Sequence, residues 1–258
     1  MALLEIKDIS LSFGGLKAVD AVNLRVEQGE IVSLIGPNGA GKTTVFNILT
    51  GIYKIDSGEI FYEGKAIHGL IPQDIVKMGI ARTFQNIRLF RQMRVVENVL
   101  IGSHIIAPYG FWQTVFRTRG YRESERENTV KAMRLLRDVG LLHRAHDYAS
   151  NLPYGEQRKL EIARALATGA KLILLDEPAA GMNPQESEEL LRFIFTLRDR
   201  GFTILMIEHD MNVVMNISDR IYVLDHGKLI SEGLPSEVAN DAKVIEAYLG
   251  GVPDAHNH

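Results

Sequence analysis

The stretch from Ile31 to Leu49 reads IVSLIGPNGAGKTTVFNIL and decides the fold. It opens with the apolar run Ile31 to Ile35, which is typical of a buried strand. A glycine-rich loop follows, and the apolar side chains between Val45 and Leu49 then repeat at helical spacing. The stretch therefore predicts a strand, a glycine-rich loop and a helix in direct succession.

The loop fits the phosphate-loop pattern G-x-x-x-x-G-K-[ST], and it lies where that pattern belongs, after a strand and at the start of a helix. Its glycines allow backbone N–H groups to surround phosphates, and the helix N-terminus adds about half a positive charge. Lys42 is placed to reach the β- and γ-phosphates, and Thr43 to offer its hydroxyl to Mg²⁺. A glycine-rich turn before an ordinary helix is the alternative. The candidate nucleotide-binding residues are Gly36, Pro37, Asn38, Gly39, Ala40, Gly41, Lys42, Thr43 and Thr44.

Two adjacent carboxylates follow a second apolar run, Leu172 to Leu175. Carboxylates at the end of a buried strand need a cation or hydrogen bonds to compensate their burial. We expect Asp176 to help hold Mg²⁺ beside Thr43, and Glu177 to polarise a water molecule aimed at the γ-phosphate. The alternative is an acidic pair that caps the next helix.

The pattern outside these motifs predicts an α/β fold. Apolar residues alternate between Leu4 and Val26 as in paired strands, which indicates an N-terminal antiparallel β layer. Further buried strands are predicted at Leu172–Leu175, Thr203–Ile207 and Ile221–Leu224, with helical patterns in the connections. Strands that alternate with helices favour a parallel sheet flanked by helices, here the core of a phosphate-loop (P-loop) nucleoside triphosphatase, or NTPase.

A different pattern occupies residues 87–168, where helices are predicted and no strand stands out. We therefore predict a single domain over residues 1–258, with residues 87–168 forming an inserted α-helical subdomain. Residues 107–128 mix aromatic and charged side chains without periodicity, so we predict an inserted loop and a short helix there. The predicted helices of this region lie at Val95–Ile101, Thr129–Val139 and Gly155–Ala167.

Composition excludes several classes of protein. Among the 258 residues, 46% are hydrophobic and 24% are charged, which is typical of a folded globular chain and not of a disordered one. A net charge of −3 supplies no field that would attract nucleic acid, so no nucleic-acid partner is expected. The absence of cysteine excludes disulfides and thiol catalysis. No apolar run approaches the ~20 residues of a membrane-spanning helix, so we expect a cytoplasmic protein.

Three further motifs resemble those of the ATP-binding-cassette (ABC) ATPases. Residues 151–166 read NLPYGEQRKLEIARAL, and they are similar to the family signature L-S-G-G-Q followed by an I-A-R-A-L helix. Gln85 occupies the place of the family's glutamine loop, and His209, after the strand Thr203–Ile207, that of its switch histidine. Either residue alone is weak evidence, but the order of the motifs matches from Leu4 to about Leu249.

Several motifs are similar, more narrowly, to the ATP-binding subunits of bacterial branched-chain amino-acid importers. Only this resemblance suggests which solute is transported, because no residue of the ATPase subunit binds the solute. The motifs are Phe13-Gly-Gly, Arg82-Thr-Phe-Gln-Asn86, Leu89-Phe90, Tyr154-Gly-Glu-Gln-Arg158, Pro178-Ala-Ala-Gly-Met-Asn-Pro184, Ile207-Glu-His-Asp-Met211 and Ala247-Tyr-Leu-Gly250.

The resemblance implies ATP as the nucleotide, Mg²⁺ as the cofactor and a role for each motif. Glu177 would activate water, His209 would sense the γ-phosphate, and Gln85 would join Thr43 and Asp176 at Mg²⁺. Phe13 would stack on adenine, although without the resemblance a role in the β core is favoured for a phenylalanine.

The resemblance also implies that two ATPase subunits pair head to tail. The signature residues Pro153, Tyr154, Gly155 and Glu156 would then meet the ATP of the other subunit. Two positions depart from the family pattern: Pro153 replaces a serine, which removes a hydroxyl, and Asn183 replaces an aspartate. These departures favour a heterodimer with a second ABC ATPase, with a homodimer as the alternative.

Other implied partners are transmembrane permease subunits, which would hold the chain on the inner face of the cell membrane, and, indirectly, a periplasmic binding protein. Four arginines, Arg82, Arg88, Arg91 and Arg94, form either a solvated face or a cradle for a permease helix. The alternatives to amino-acid import are lipid or polysaccharide export, and a non-transport switch that dimerises on ATP.

Overall fold

The computed structural model describes residues 2–104 and 119–249. The strands, in chain order, are β1 Ala2–Phe13, β2 Leu16–Glu27, β3 Ile31–Ile35, β4 Ser57–Tyr62, β5 Lys65–Ala66, β6 Ile80–Arg82, β7 Leu172–Asp176, β8 Thr203–Ile207, β9 Arg220–Asp225 and β10 Lys228–Gly233. The α-helices are α1 Lys42–Leu49, α2 Pro72–Met78, α3 Val95–His104, α4 Arg119–Asp138, α5 Tyr154–Ala167, α6 Pro184–Asp199, α7 Met211–Ile217, α8 Pro235–Val238 and α9 Ala242–Leu249.

The strands form two sheets. An antiparallel sheet has the order β2-β1-β4-β5, and a six-stranded sheet has the order β10-β9-β3-β8-β7-β6. Every pair in the second sheet is parallel except the hairpin of β9 and β10. The predicted α/β fold with an antiparallel layer is confirmed. The last hairpin, whose turn the family resemblance places at His226-Gly227, is present, because this short turn can join β9 and β10 only as antiparallel neighbours.

The buried strands of the parallel sheet pack on both faces. Along β7, Leu172 and Leu174 belong to the core shared with the antiparallel layer and α1, whereas Ile173 and Leu175 belong to the core shared with α5 and α6. This alternation follows from the two-residue period of a strand. The sheet is therefore covered on both sides, which explains why these strands are continuous apolar runs.

The strand order places the candidate site residues at one edge of the six-stranded sheet. The carboxyl end of β3 leads into Gly36, that of β7 ends at Asp176, and β8, which lies between them, leads into His209. Loops at the carboxyl ends of neighbouring parallel strands meet at the same edge of the sheet, where ligands of α/β proteins bind.

The segment between β6 and β7 differs from its predicted outline in one respect. Helix α4 begins at Arg119, ten residues before the predicted start at Thr129, so the prediction of a separate loop and short helix is wrong for residues 119–128. Six of the ten residues 119–128 are charged, and the stretch carries little apolar periodicity from which a helix could be predicted. Residues 107–118 of that prediction lie outside the described residues, and the boundaries 87–168 remain a prediction.

The short elements α2, α7, β4, β5 and β6 were not predicted, because none is long enough to show a clear period. Within the described ranges, no helix combines the length and the hydropathy that crossing a bilayer requires.

Candidate active site

Lys42 is the buried cation of the phosphate loop. The residue is 8% exposed, and its Nζ donates hydrogen bonds to the carbonyls of Gly36 at 2.6 Å and Pro37 at 2.9 Å. Burial lowers the pKa of this ammonium, while the carboxylates of Glu177 and Asp176 act in the opposite direction. The loop therefore holds a partly desolvated positive charge that an anion would stabilise.

The loop requires glycine at two points where backbone approaches backbone. Gly36 has φ +146°, and a Cβ there would lie 2.0 Å from the Leu224 carbonyl oxygen; Gly41 has φ +102°, and its Cβ would lie 2.5 Å from the Ala18 carbonyl oxygen. Helix α1 starts directly after Gly41 with no side-chain cap and no acidic residue in its first turn. Its N–H groups are therefore left for a ligand.

A cleft of about 380 Å³ opens above this loop. It brings the phosphate loop together with Glu177, which is 135 positions away in sequence from Lys42. The lining residues are Leu16, Lys17, Ala18, Asn38, Gly39, Ala40, Gly41, Lys42, Thr43, Thr44, Glu177, His226 and Gly227.

Glu177 forms a small polar cluster with the two other predicted catalytic residues. Its Oε2 accepts a hydrogen bond from Gln85 Nε2 at 2.7 Å and lies 3.6 Å from His209 Nδ1. The backbone of Glu177 has φ +45°, a left-handed conformation that is costly for a side chain with a Cβ, and its N–H is fixed by the Ile207 carbonyl at 2.9 Å. The fold thus holds this carboxylate in a strained position beside the cleft.

Glu208 is a buried carboxylate that sequence reasoning missed. The residue is 1% exposed, and it accepts hydrogen bonds from the backbone N–H groups of Ala179 at 2.9 Å and His209 at 3.2 Å. Burial raises the pKa of Glu208, and these two N–H groups act in the opposite direction. Its side chain therefore ties the loop after Glu177 to the segment that carries His209.

Asp176 is paired with Arg82, another contact that sequence reasoning missed. Arg82 Nη2 donates to Asp176 Oδ2 at 2.6 Å, both side chains are less than a tenth exposed, and Nη1 donates to Asn47 Oδ1 at 2.7 Å. Of the two predicted alternatives, the solvated face is wrong for Arg82, because its side chain is buried and its guanidinium compensates the Asp176 carboxylate. Charge alternation along the sequence could not reveal a partner 94 positions away.

Comparison with known proteins identifies the family to which this chain belongs, and that family binds nucleotide. The family described as "ABC transporter" matches residues 19–180, and the family described as "Branched-chain amino acid ATP-binding cassette transporter" matches residues 228–254. The chain belongs to the ABC transporter family. It is similar to the high-affinity branched-chain amino acid transport ATP-binding proteins LivG of Salmonella typhimurium and BraF of Pseudomonas aeruginosa, with 49% and 47% identity. Each alignment covers 96% of this chain and 98% of the relative.

A solved structure, the ADP conformation of an ATP-binding cassette of an ABC transporter, has a TM-score of 0.86 and 36% identity, over 97% of this chain and 99% of that one. The predicted family is confirmed, and with it the class of activity: ABC ATPases hydrolyse ATP to power transport.

The signature segment of this cassette lies apart from its own phosphate cleft. None of residues 153–156 is among those that line the cleft. Helix α5 begins after Pro153 without a side-chain cap. The carboxylate of Glu156, an unfavourable neighbour for phosphate, lies 3.5 Å from Arg144 Nε, which offsets its charge. Because Arg144 offsets the charge of Glu156, the N-terminus of α5 can accommodate an anion that belongs to another molecule.

The structure describes the surroundings of two further residues that the sequence analysis singled out, Asn183 and Phe13. Asn183 caps α6: its Oδ1 accepts from the Glu186 N–H at 3.0 Å and its own N–H donates to Glu186 Oε2 at 3.1 Å. Phe13 is 47% exposed and does not line the phosphate cleft, and its ring meets Tyr53 edge-on at 5.2 Å between centroids. This exposure disfavours a β-core role for Phe13.

Proposed function

We propose that this ABC ATPase powers the import of branched-chain amino acids through a membrane permease. The observation that carries the ATPase mechanism is the single cleft in which Lys42, Thr43 and Glu177 meet. The solute is supported by the relatives named above and by the match of residues 228–254 to the family described as "Branched-chain amino acid ATP-binding cassette transporter".

ATP binding follows from the electrostatics of the phosphate loop. Lys42 supplies a buried cation, and the uncapped start of α1 supplies N–H groups that point into the cleft, so both favour a triphosphate. The oxygens of Thr43, Gln85 and Asp176 form the hard-donor set that Mg²⁺ prefers, and these residues would hold the ion. When bound, Mg²⁺ neutralises charge on the phosphate oxygens.

Hydrolysis then needs a base that orients water. Glu177 lines the cleft, and its carboxylate is fixed by Gln85 and flanked by His209. A carboxylate held in this way accepts a hydrogen bond from the attacking water, while His209 contacts the γ-phosphate from the neighbouring loop. Catalysis in this arrangement is positioning and electrostatics, as in other phosphoryl transfers.

A second subunit completes the site. The N–H groups near Gly155 are open, and they lie away from the cleft of their own chain, so we place them against the ATP of a partner. Pro153 cannot donate a hydrogen bond to that ATP. Pairing with a second, related ABC ATPase would give one of the two sites a signature hydroxyl, which favours a heterodimer over a homodimer.

A groove of about 370 Å³ beside the glutamine loop is the proposed permease contact. Arg88 lies over the Phe84 ring at 4.2 Å, Arg164 lies over the Phe90 ring at 5.8 Å, and Phe90 is 49% exposed. An apolar floor with cationic rims suits an amphipathic helix of the permease. This contact would hold the cassette on the inner face of the membrane, with the periplasmic binding protein reached only through the permease.

Reconstitution tests the function. We expect the purified chain to be mainly monomeric with low basal ATPase activity, and the activity to rise when permease subunits and the second ATPase are added. The vesicles should then accumulate leucine, isoleucine and valine in an ATP-dependent manner. ATP-dependent uptake by a transporter that contains two copies of this chain and no second ATPase would contradict the proposed heterodimer. ATP-dependent transport of a lipid or a polysaccharide in place of amino acids would contradict the proposed solute.

The proposed adenine contact gives a separate prediction. Stacking on a base is worth ~1–3 kcal/mol and tolerates base identity, so Phe13→Ala should raise the Kd for ATP by roughly ten- to a hundred-fold, with GTP still bound. Phe90→Ala, a similarly exposed phenylalanine in the permease groove, is the matched control, and its ATP affinity should not change. Calorimetry measures both. An unchanged Kd for Phe13→Ala, with stability lower by ~3–5 kcal/mol, would instead indicate a core residue.

A further inference from the structure

In the loop that follows Glu177, the backbones of two consecutive residues, Ala179 and Ala180, form hydrogen bonds with side chains that are distant in sequence. Glu208 Oε1 accepts the N–H of Ala179 at 2.9 Å, and the Tyr154 hydroxyl donates to the carbonyl of Ala180 at 3.1 Å. The Ala180 N–H in turn donates to the Glu177 carbonyl at 3.2 Å. Ala180 thus connects Tyr154, the first residue of the signature helix, with the backbone of Glu177, the residue that carries the proposed catalytic carboxylate.

The same tyrosine contacts a buried arginine that holds the glutamine loop. Arg158, fully buried one turn along α5, donates from Nη2 to the Gln85 carbonyl at 2.8 Å and to the Tyr154 hydroxyl at 3.4 Å. A hydroxyl can accept from one group and donate its single proton to another, so both contacts of Tyr154 are compatible. Gln85 also reaches Glu177 through its side chain.

We propose that Tyr154 is a positioning residue whose hydroxyl couples the signature helix to Glu177 within one subunit. This inference rests on the proposed function for its consequence, because Glu177 must be the carboxylate that orients water. The tyrosine stands where the general ABC signature L-S-G-G-Q has a glycine, so a signature with glycine at this position could not make this link. A displacement of α5 would shift the Ala180 carbonyl, and the hydrogen bond from the Ala180 N–H to the Glu177 carbonyl would shift the backbone from which the catalytic carboxylate extends.

Tyr154→Phe tests the proposal, because it removes one hydroxyl and keeps a ring that is 39% exposed, so the variant retains its fold. Losing a net hydrogen bond of ordinary strength should speed hydrogen exchange at the Ala180 amide by about five-fold in the full chain. In the reconstituted transporter, kcat should fall by about three- to ten-fold while the KM for ATP stays unchanged, since the phosphate loop is not altered.

Tyr148→Phe is the matched control. Tyr148 is 51% exposed, and its hydroxyl has no hydrogen bond among the residues that the structure describes. Its exchange pattern and its kcat should equal those of the unmodified chain.

Wild-type exchange at the Ala180 amide in Tyr154→Phe would overturn the coupling, as would an altered KM with unchanged kcat. A wild-type chain that fails to hydrolyse ATP would overturn the proposed function instead, and the exchange experiment would still report on the link.

Discussion

We expect Glu177→Gln to retain ATP binding and to lose turnover. The amide keeps an oxygen that can accept the Gln85 hydrogen bond, seen at 2.7 Å for the carboxylate, but it lacks the charge that orients water. General-base groups contribute about 10²- to 10⁴-fold to rate, so kcat should fall by that factor. Steady-state phosphate release from the reconstituted transporter measures kcat, and calorimetry measures the Kd for ATP, which should change little.

Glu188→Gln provides the control for Glu177→Gln. Glu188 lies on the solvated face of α6, where its side chain is 65% exposed and pairs with Arg192. Its replacement makes the same chemical change away from the cleft and should leave kcat at the wild-type value. Turnover by Glu177→Gln at the wild-type rate would show that another group activates water.

Arg158→Met should be the most destabilising of the changes considered. The Arg158 and Glu161 side chains are 0% and 1% exposed and lie 2.9 Å apart, and Arg158 also satisfies the carbonyls of Phe84 and Gln85. Removing one partner of a buried pair leaves an uncompensated charge, which costs about 3–5 kcal/mol of unfolding free energy. Urea denaturation measures this as a lower midpoint with an unchanged m-value.

Two further variants distinguish the effect of burial on stability from the effect of removing a positive charge. Arg192→Met breaks the exposed pair with Glu188, whose side chains are 70% and 65% exposed, and should cost under about 0.5 kcal/mol. The double variant Arg158→Met with Glu161→Met removes both buried charges and should recover part of the lost stability. A loss below about 1 kcal/mol for Arg158→Met alone would contradict the importance of this pair.

The phosphate loop could be predicted from sequence because its determinants are local. Gly36 and Gly41 occupy conformations that favour glycine, and Lys42 follows at a fixed spacing, so a short stretch encodes the whole arrangement. The parallel strands could be predicted for a related reason: a strand buried on both faces is an unbroken apolar run. By contrast, α2 and β6 are too short to show a period, and the start of α4 is rich in charged residues and has little apolar periodicity.

The sequence by itself therefore determined the α/β core, the phosphate loop and, through the order of its motifs, the family. Only the tertiary structure decided which buried charges compensate one another: Arg82 with Asp176, and Arg158 with Glu161 and the glutamine loop. It also decided that Glu208 and Tyr154 hold the loop after Glu177. The physical reason is that burying an unpaired charge or polar group costs free energy, so each such group needs a partner. That partner is a residue that the fold brings close in space at the edge of the sheet, and the periodicity of the sequence carries no information about which residue it is.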